Sequence, residues 1–297
     1  MREMWSRGVA ERAARYWTAE RTARLTGGKR MAVLPAEAAP LLRALGLLRG
    51  DGSLVVGAER KYRQVNALAA LLAPAFAEVA ARATPVRILD AGCGRSYLSF
   101  LLAHCFTHVW RHPVDILGVD RNARLIDRCR ERYAMTGLPG VARFQTAALG
   151  ELRLDARPDV LVALHACDTA TDDAIALGVG AEVGFIAVAP CCQAELARRW
   201  GELAETGAQG AFAPIWRSPH LRRELGASVT DAMRALLLAS RGYQVTAMEF
   251  VGAEHTPKNT LLRAHLRGGA NDEALRAYRE LKAATGGVGI GLEERLG

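Results

Sequence analysis

The chain has 297 residues, is 50% hydrophobic and 24% charged, and carries a formal charge of +8. That apolar fraction excludes a disordered chain, and the length suits one α/β domain of ~200 residues with extensions. No run approaches the ~18 consecutive apolar residues of a membrane helix, and the charged N-terminus offers no signal-peptide core. Six cysteines without a C-x-x-C pair argue against a disulfide framework or a zinc ribbon, so a reducing cytoplasm is expected and no metal site.

Of the 39 basic residues 35 are Arg. Residues 1–30 carry a net +5, residues 31–84 +2, residues 85–270 +2 and residues 271–297 −1. The positive excess therefore precedes residue 85, and that basic N-terminal region is the part expected to meet a polyanion such as RNA.

In chain order, residues 1–30 read as a basic amphipathic helix ending at Gly27-Gly28. A short helix (LLRALGLL) and a Gly-rich turn occupy 36–57. A longer helix covers 58–82, with an apolar stripe at Val65, Leu68, Leu72, Phe76 and Val79. From residue 85 strands and helices alternate. Val/Ile/Leu-rich runs at 86–90, 114–119, 142–147, 159–165 and 184–189 have the character of parallel strands buried on both faces. Helices fill 97–105, 122–135, 170–178 and 192–205. An irregular stretch, 206–227, precedes a helix at 229–240. Two last strands, 243–251 and 260–266, are joined by HTPKN, and a polar helix covers 271–284. The pattern predicts an α/β fold: a Rossmann-like, doubly wound, mostly parallel sheet closed by a late antiparallel hairpin. The expected domains are a basic helical extension (1–84), a catalytic domain (85–267) and a polar C-terminal tail helix (268–297).

Such sheets bind ligands at the C-terminal ends of their strands, and five segments fall there. Asp90-Ala91-Gly92-Cys93-Gly94 follows the first strand, where glycines let a ligand approach the backbone. A dinucleotide fingerprint would need glycine at Tyr97. Asp120 ends the second strand and can take both ribose hydroxyls of a nucleoside, or else cap the next helix in competition with Asn122. Its distance from Gly94 exceeds that of a compact unit by about the length of THVWRHP. The third strand ends at Ala147 and Ala148, whose backbone groups are candidates to read adenine. The fourth is followed by His165, Ala166, Cys167 and Asp168. Here His165 and Asp168 are candidate acid/base groups, or a packed strand-end residue and a helix cap. The fifth leads into Pro190, Cys191 and Cys192. These cysteines are open to three readings: metal ligation, a nucleophile attacking a pyrimidine ring, or small side chains lining a pocket.

Taken together, DAGCGRSYLS (90–99), LHACDTATD (164–172) and APCCQ (189–193) resemble one family of class I S-adenosylmethionine-dependent methyltransferase domains. It includes the eukaryotic tRNA acceptor-stem ribose 2′-O-methyltransferase and bacterial methyltransferase-like relatives. KYRQVN (61–66) and HTPKNTLLRA (255–264) extend the resemblance to roughly residues 58–267. Ser96 and Gln193 depart from the pattern, where many members have Gly and the tRNA enzyme has His, and that enzyme's zinc-finger-like modules are missing. The resemblance implies S-adenosyl-L-methionine as cofactor. Asp90 would orient its amino group, Gly92 and Gly94 would cradle its methionyl part, and Asp120 would hold its ribose. Ala147, Ala148, His165 and Ala166 would line the rest. Cys167, Pro190, Cys191, Cys192, Lys258 and Asn259 would face the substrate. The expected function is methyl transfer to RNA, with a protein or small-molecule acceptor, or cofactor binding without catalysis, as alternatives.

Overall fold

The computed structural model describes all residues except 1, 139, 165, 167–168, 191–193 and 250–259, with residues 2–6 described by their backbone alone. The apolar runs fold as strands: β1 (Val86–Ala91), β2 (Val114–Asp120), β3 (Ala142–Thr146), β4 (Val160–Ala163), β5 (Phe185–Val188), β6 (Tyr243–Glu249) and β7 (Thr260–Leu266). They form one seven-stranded sheet in the order β3-β2-β1-β4-β5-β7-β6. β1, β2 and β3 pair in parallel, as do β4 and β5. β7 runs antiparallel to both its neighbours, which is the late hairpin that the sequence predicts. The sheet has a Rossmann-like, mostly parallel architecture. Every residue of β4 and β5 is buried, as strands covered on both faces require. Among the described residues no helix is long and apolar enough to cross a membrane.

The chain divides into two compact units, Met1–Ala148 and Leu149–Gly297. The first holds α1 (Arg2–Tyr16), α2 (Ala19–Thr26), α3 (Ala39–Ala44), α4 (Glu59–Ala80), β1, α5 (Tyr97–His104), β2, α6 (Ala123–Tyr133) and β3. Residues 1–30 are two helices, where the sequence suggested one. The Thr18 hydroxyl accepts from Arg21 N at 3.3 Å and starts α2 as its N-cap, a role that Thr fills better than a helix interior. The break lets Trp17 turn its indole N–H onto Gly52 O at 2.7 Å. Gly27 then closes α2 at φ 60°, as expected.

Helix α4 anchors the preceding loop from within. The buried Asn66 accepts from Val33 N at 2.8 Å and donates to Val33 O at 3.2 Å, while Tyr62 O–H donates to Val33 O at 2.8 Å. The long path from α5 to β2 is a π-helical turn, Cys105–Val109, plus its exit. Phe106 and Trp110 there pack on Phe76 of α4, with centroids 5.4 and 5.7 Å away. This aromatic plug accounts for the extra length that the sequence shows between Gly94 and Asp120.

The second unit holds β4, α7 (Thr169–Gly180), β5, α8 (Glu195–Glu205), α9 (Ala213–Arg217), α10 (Pro219–Ser240), β6, β7, α11 (Asp272–Ala284) and α12 (Gly291–Leu296). The stretch expected to be irregular is largely helical, and α10 begins at Pro219, well before residue 229. Ser218 caps it, accepting from Leu221 N at 3.4 Å, and Pro219 takes the first helical position. Proline is favoured there because its missing N–H would be unpaired anyway. The last helices contribute to this unit's core: Tyr278 and Leu292 are fully buried, and Tyr278 O–H donates to Glu293 at 2.8 Å.

Candidate cofactor site

The first unit gathers the loop residues at the C-terminal ends of its strands. β1 carries Asp90 into the interior, where it is 3% exposed. Ser99, in the first turn of α5, donates its hydroxyl to Asp90 Oδ2 at 2.5 Å. Burial pushes the Asp90 carboxyl up to about 6; the Ser99 hydrogen bond opposes this, and nearby Asp120 adds to it. A buried carboxylate of this kind suits an ammonium group, because the cation restores what desolvation removed.

Between β1 and α5 the backbone turns through Gly92 at φ 69°, Gly94 at φ 55° and Ser96 at φ 55°. A Cβ added at Gly94 would meet only Gly92 O, 4.0 Å away, so the space over the loop is open. Ser96 holds a conformation that usually favours glycine. Its N–H donates to Cys93 O at 2.7 Å, and among the described residues its fully buried hydroxyl oxygen has no hydrogen-bond partner.

Asp120 bridges the loop and the next helix. Gly94 N donates to Asp120 Oδ2 at 2.9 Å, and Asn122 N donates to Oδ1 at 2.8 Å. Asn122, not Asp120, caps α6, accepting from Leu125 N at 3.2 Å. Asp120 is therefore not needed as a cap. Each of its oxygens accepts one backbone bond and keeps a second lone pair, enough for a vicinal diol. Ala147 N donates to Asp120 O at 3.1 Å. That leaves the Ala147 carbonyl and the exposed Ala148 at the end of β3 to meet a ligand.

Two cysteines stabilise this cradle. Cys129 of α6 donates its thiol to Gly94 O at 3.3 Å. Cys93 is 2% exposed. Burial pushes both thiols up, with Asp90 adding to the effect, so both stay protonated and act as packing groups. Ser99 and Cys129 carry no signal of their own in the sequence beyond helical spacing, since their partners lie 9 and 35 residues away.

In the second unit Ala166, 3% exposed, and the buried Pro190 follow the paired ends of β4 and β5. The motif residues after Ala166 brace it. Thr171 Oγ1 donates to Ala166 O at 2.7 Å. Asp172 accepts from Arg234 Nε of α10 at 2.7 Å, with both side chains fully buried. Asp231 receives the same guanidinium at 3.3 Å. Burial pushes the Asp172 carboxyl up, and Arg234 pulls it back down. Removing one partner of such a pair costs ~3–5 kcal/mol, so Thr171 and Asp172 serve the scaffold. Arg234, 62 residues from its partner, is invisible to motif reading. The candidate residues His165, Cys167, Asp168, Cys191, Cys192, Lys258 and Asn259 lie outside the described residues.

A cavity of about 920 Å³ in the first unit is lined by residues that include Arg7, Pro40, Arg130, Tyr133 and Phe144. None of its lining residues belongs to the cradle. Among the described residues no group of three His, Cys, Asp or Glu side chains is arranged to hold a metal ion.

Residues 60–199 match a protein family described as a methyltransferase domain. No curated protein matches the sequence. Among solved structures, the chain is similar to the SAH-bound methyltransferase PaMTH1 of Podospora anserina. They share 10% identity over 83% of this chain and 93% of that one, with a TM-score of 0.46. It is also similar to the 23S rRNA methyltransferase ErmE, at 17% identity over 75% and 81%, TM-score 0.38. A third likeness is to SAM-bound CalS10 of Micromonospora echinaspora, an amino pentose methyltransferase, at 20% identity over 44% and 55%, TM-score 0.32.

Proposed function

We propose that this chain is an S-adenosylmethionine-dependent methyltransferase and that its acceptor is RNA. The observation that carries the cofactor assignment is Asp120, held by Gly94 N and Asn122 N with lone pairs to spare, beside the buried Asp90. The residues fit the group. Asp90 suits its ammonium, Asp120 suits the two ribose hydroxyls, and the open glycine loop admits the methionyl chain between them. The family match over residues 60–199 supports the same reading.

When bound, the cofactor supplies an electrophilic methyl group on sulfur. The chain's own work is then mostly positioning. Asp90 would hold the cofactor's amino group and Asp120 its ribose, with the loop of 92–96 between them and Gly94 N bonded to Asp120. His165 and Asp168 are assigned to accept the proton of a hydroxyl acceptor, with Cys167, Pro190, Cys191, Cys192, Lys258 and Asn259 on the substrate side. The RNA assignment rests on the resemblance to the tRNA-modifying family and on the basic character of residues 1–84.

The test uses extract from a strain lacking the protein, incubated with the full chain and methyl-labelled cofactor. Label that nuclease removes and protease spares is the expected result. Protease-sensitive label would move the acceptor to a protein. Tight cofactor binding by calorimetry with no label transferred would make the chain a binding module.

A further inference from the structure

We propose that the cleft of about 290 Å³ lined by Arg95, Leu125, Arg128, Cys129 and Arg132 is a phosphate subsite that seats the backbone of an RNA substrate beside the cofactor cradle. The proposal rests on the RNA methyltransferase reading and gives it a binding surface within the α/β part of the first unit.

Three arginines line this small space from two walls. Arg128 and Arg132, four residues apart, share one face of α6 with Leu125. Arg95 comes from the glycine loop opposite, and the Cys129 thiol, bonded to Gly94 O at 3.3 Å, ties the walls together. Among the described residues none of these arginines is in an ion pair. Arg130 on the same helix behaves differently: it pairs with Asp127 at 2.9 Å and donates to Phe144 O at 2.8 Å. Glu131, one turn on from Arg128, does not pair with it either. Like charges brought together around a cleft repel, and a bound anion removes that cost. The planar guanidinium fork matches phosphate oxygens two at a time.

The cleft is small, just below the ~300–1,000 Å³ of small-molecule pockets, and its three lining arginines select a charged group. A polymer is favoured over a free anion because the row continues. Arg124 extends it from Arg128 and Arg132 along α6, over about 12 Å at 1.5 Å per residue. That span exceeds the reach of a single phosphate and fits consecutive phosphates of one strand. The Cys129 thiol is held protonated by burial, so it adds no competing negative charge.

The experiment measures binding of a fluorescein-labelled oligoribonucleotide to the full chain by anisotropy, between about 50 and 200 mM salt. For the variant combining Arg95→Gln, Arg128→Gln and Arg132→Gln, the slope of log affinity against log salt is expected to flatten by about 2. That follows from three lost contacts at ~0.7 each on a single strand, with roughly tenfold weaker binding at the lowest salt. The Arg128→Gln/Arg132→Gln double variant should show about two thirds of the change and retain wild-type cofactor affinity by calorimetry. Thermal melting confirms that both variants are folded. An unchanged slope in a folded triple variant overturns the proposal. So does an unchanged slope accompanied by reduced methylation of a protein fraction, which would make the cleft a reader of acidic protein. Failure of the wild-type chain to bind cofactor would overturn the methyltransferase reading instead, and leaves the anisotropy result to stand separately.

Discussion

Residues 1–30 and helix α6 with its neighbouring loop are both rich in arginine, but they use it differently. The N-terminal helices hold most of the chain's charge excess, and three of their arginines are engaged within the same unit. Arg12 donates to Gly50 O at 2.5 Å, Arg21 to Tyr16 O at 2.8 Å, and Arg24 pairs with Glu20 at 2.8 Å. Arg21 also lies over the Tyr16 ring, 4.4 Å from its centroid. The α/β region is nearly neutral by count, yet it brings Arg95, Arg128 and Arg132 around one cleft without a counter-ion among the described residues. Net charge is a sum over a segment. A polyanion responds to the local field, which depends on which charges are already paired.

The largest expected effect tests whether the N-terminal helices are structural. A Cβ at Gly52 would lie 2.7 Å from Ala13 Cα, and Gly52 sits at φ 90°. Gly52→Ala should therefore cost about 3 kcal/mol, seen as a lower urea midpoint; an unchanged midpoint would mean that α1 is loosely docked.

Asp90→Asn sharpens the other side of the comparison. The buried carboxyl titrates near 6 against an ordinary value of 3.8. Its protonated form therefore stabilises the fold fully below 3.8, and that stability is lost as pH rises through 6. Asn mimics the protonated form and can still accept from Ser99. The cofactor-free variant should be more stable than wild type by about 3 kcal/mol at pH 8 and within about 0.5 kcal/mol of it near pH 4, while binding cofactor more weakly. Melting curves at the two pH values decide it, and an equal shift at both would refute the burial argument.

Asp120→Ala should weaken S-adenosylmethionine binding at least tenfold, about 1.4 kcal/mol, by calorimetry. Unchanged affinity would remove Asp120 from the ribose site. The smallest effect belongs to Arg24→Gln. Its pair with Glu20 is 76% and 83% exposed, so stability should change by less than about 0.5 kcal/mol. The salt slope for RNA should stay that of the wild type. A slope that falls by ~0.7 or more would show that Arg24 contacts the polyanion too and erase the contrast.

Much of the fold was legible from sequence because it rests on local signals. Short Val/Ile/Leu runs separated by helical spacing set the strand positions. The turn Gly92-Cys93-Gly94 and the acid ending β2 marked the loop that the fold places between β1 and α5, because only certain residues allow a tight strand-to-helix turn. The break at Thr18 and the early start at Pro219 were missed because the same residues read equally well as interior, loop or cap.

What the sequence by itself determined was the order of elements, the late hairpin and the positions of Asp90 and Asp120, since each follows from patterns within a few residues. Tertiary structure alone decided that Asn122 caps α6 and leaves Asp120 to the loop, that Ser99 supports Asp90, and that Arg234 holds Asp172. It also decided which arginines stay unpaired. Those outcomes depend on partners that folding brings together from distant parts of the chain, and burial then makes each pairing, or its absence, matter.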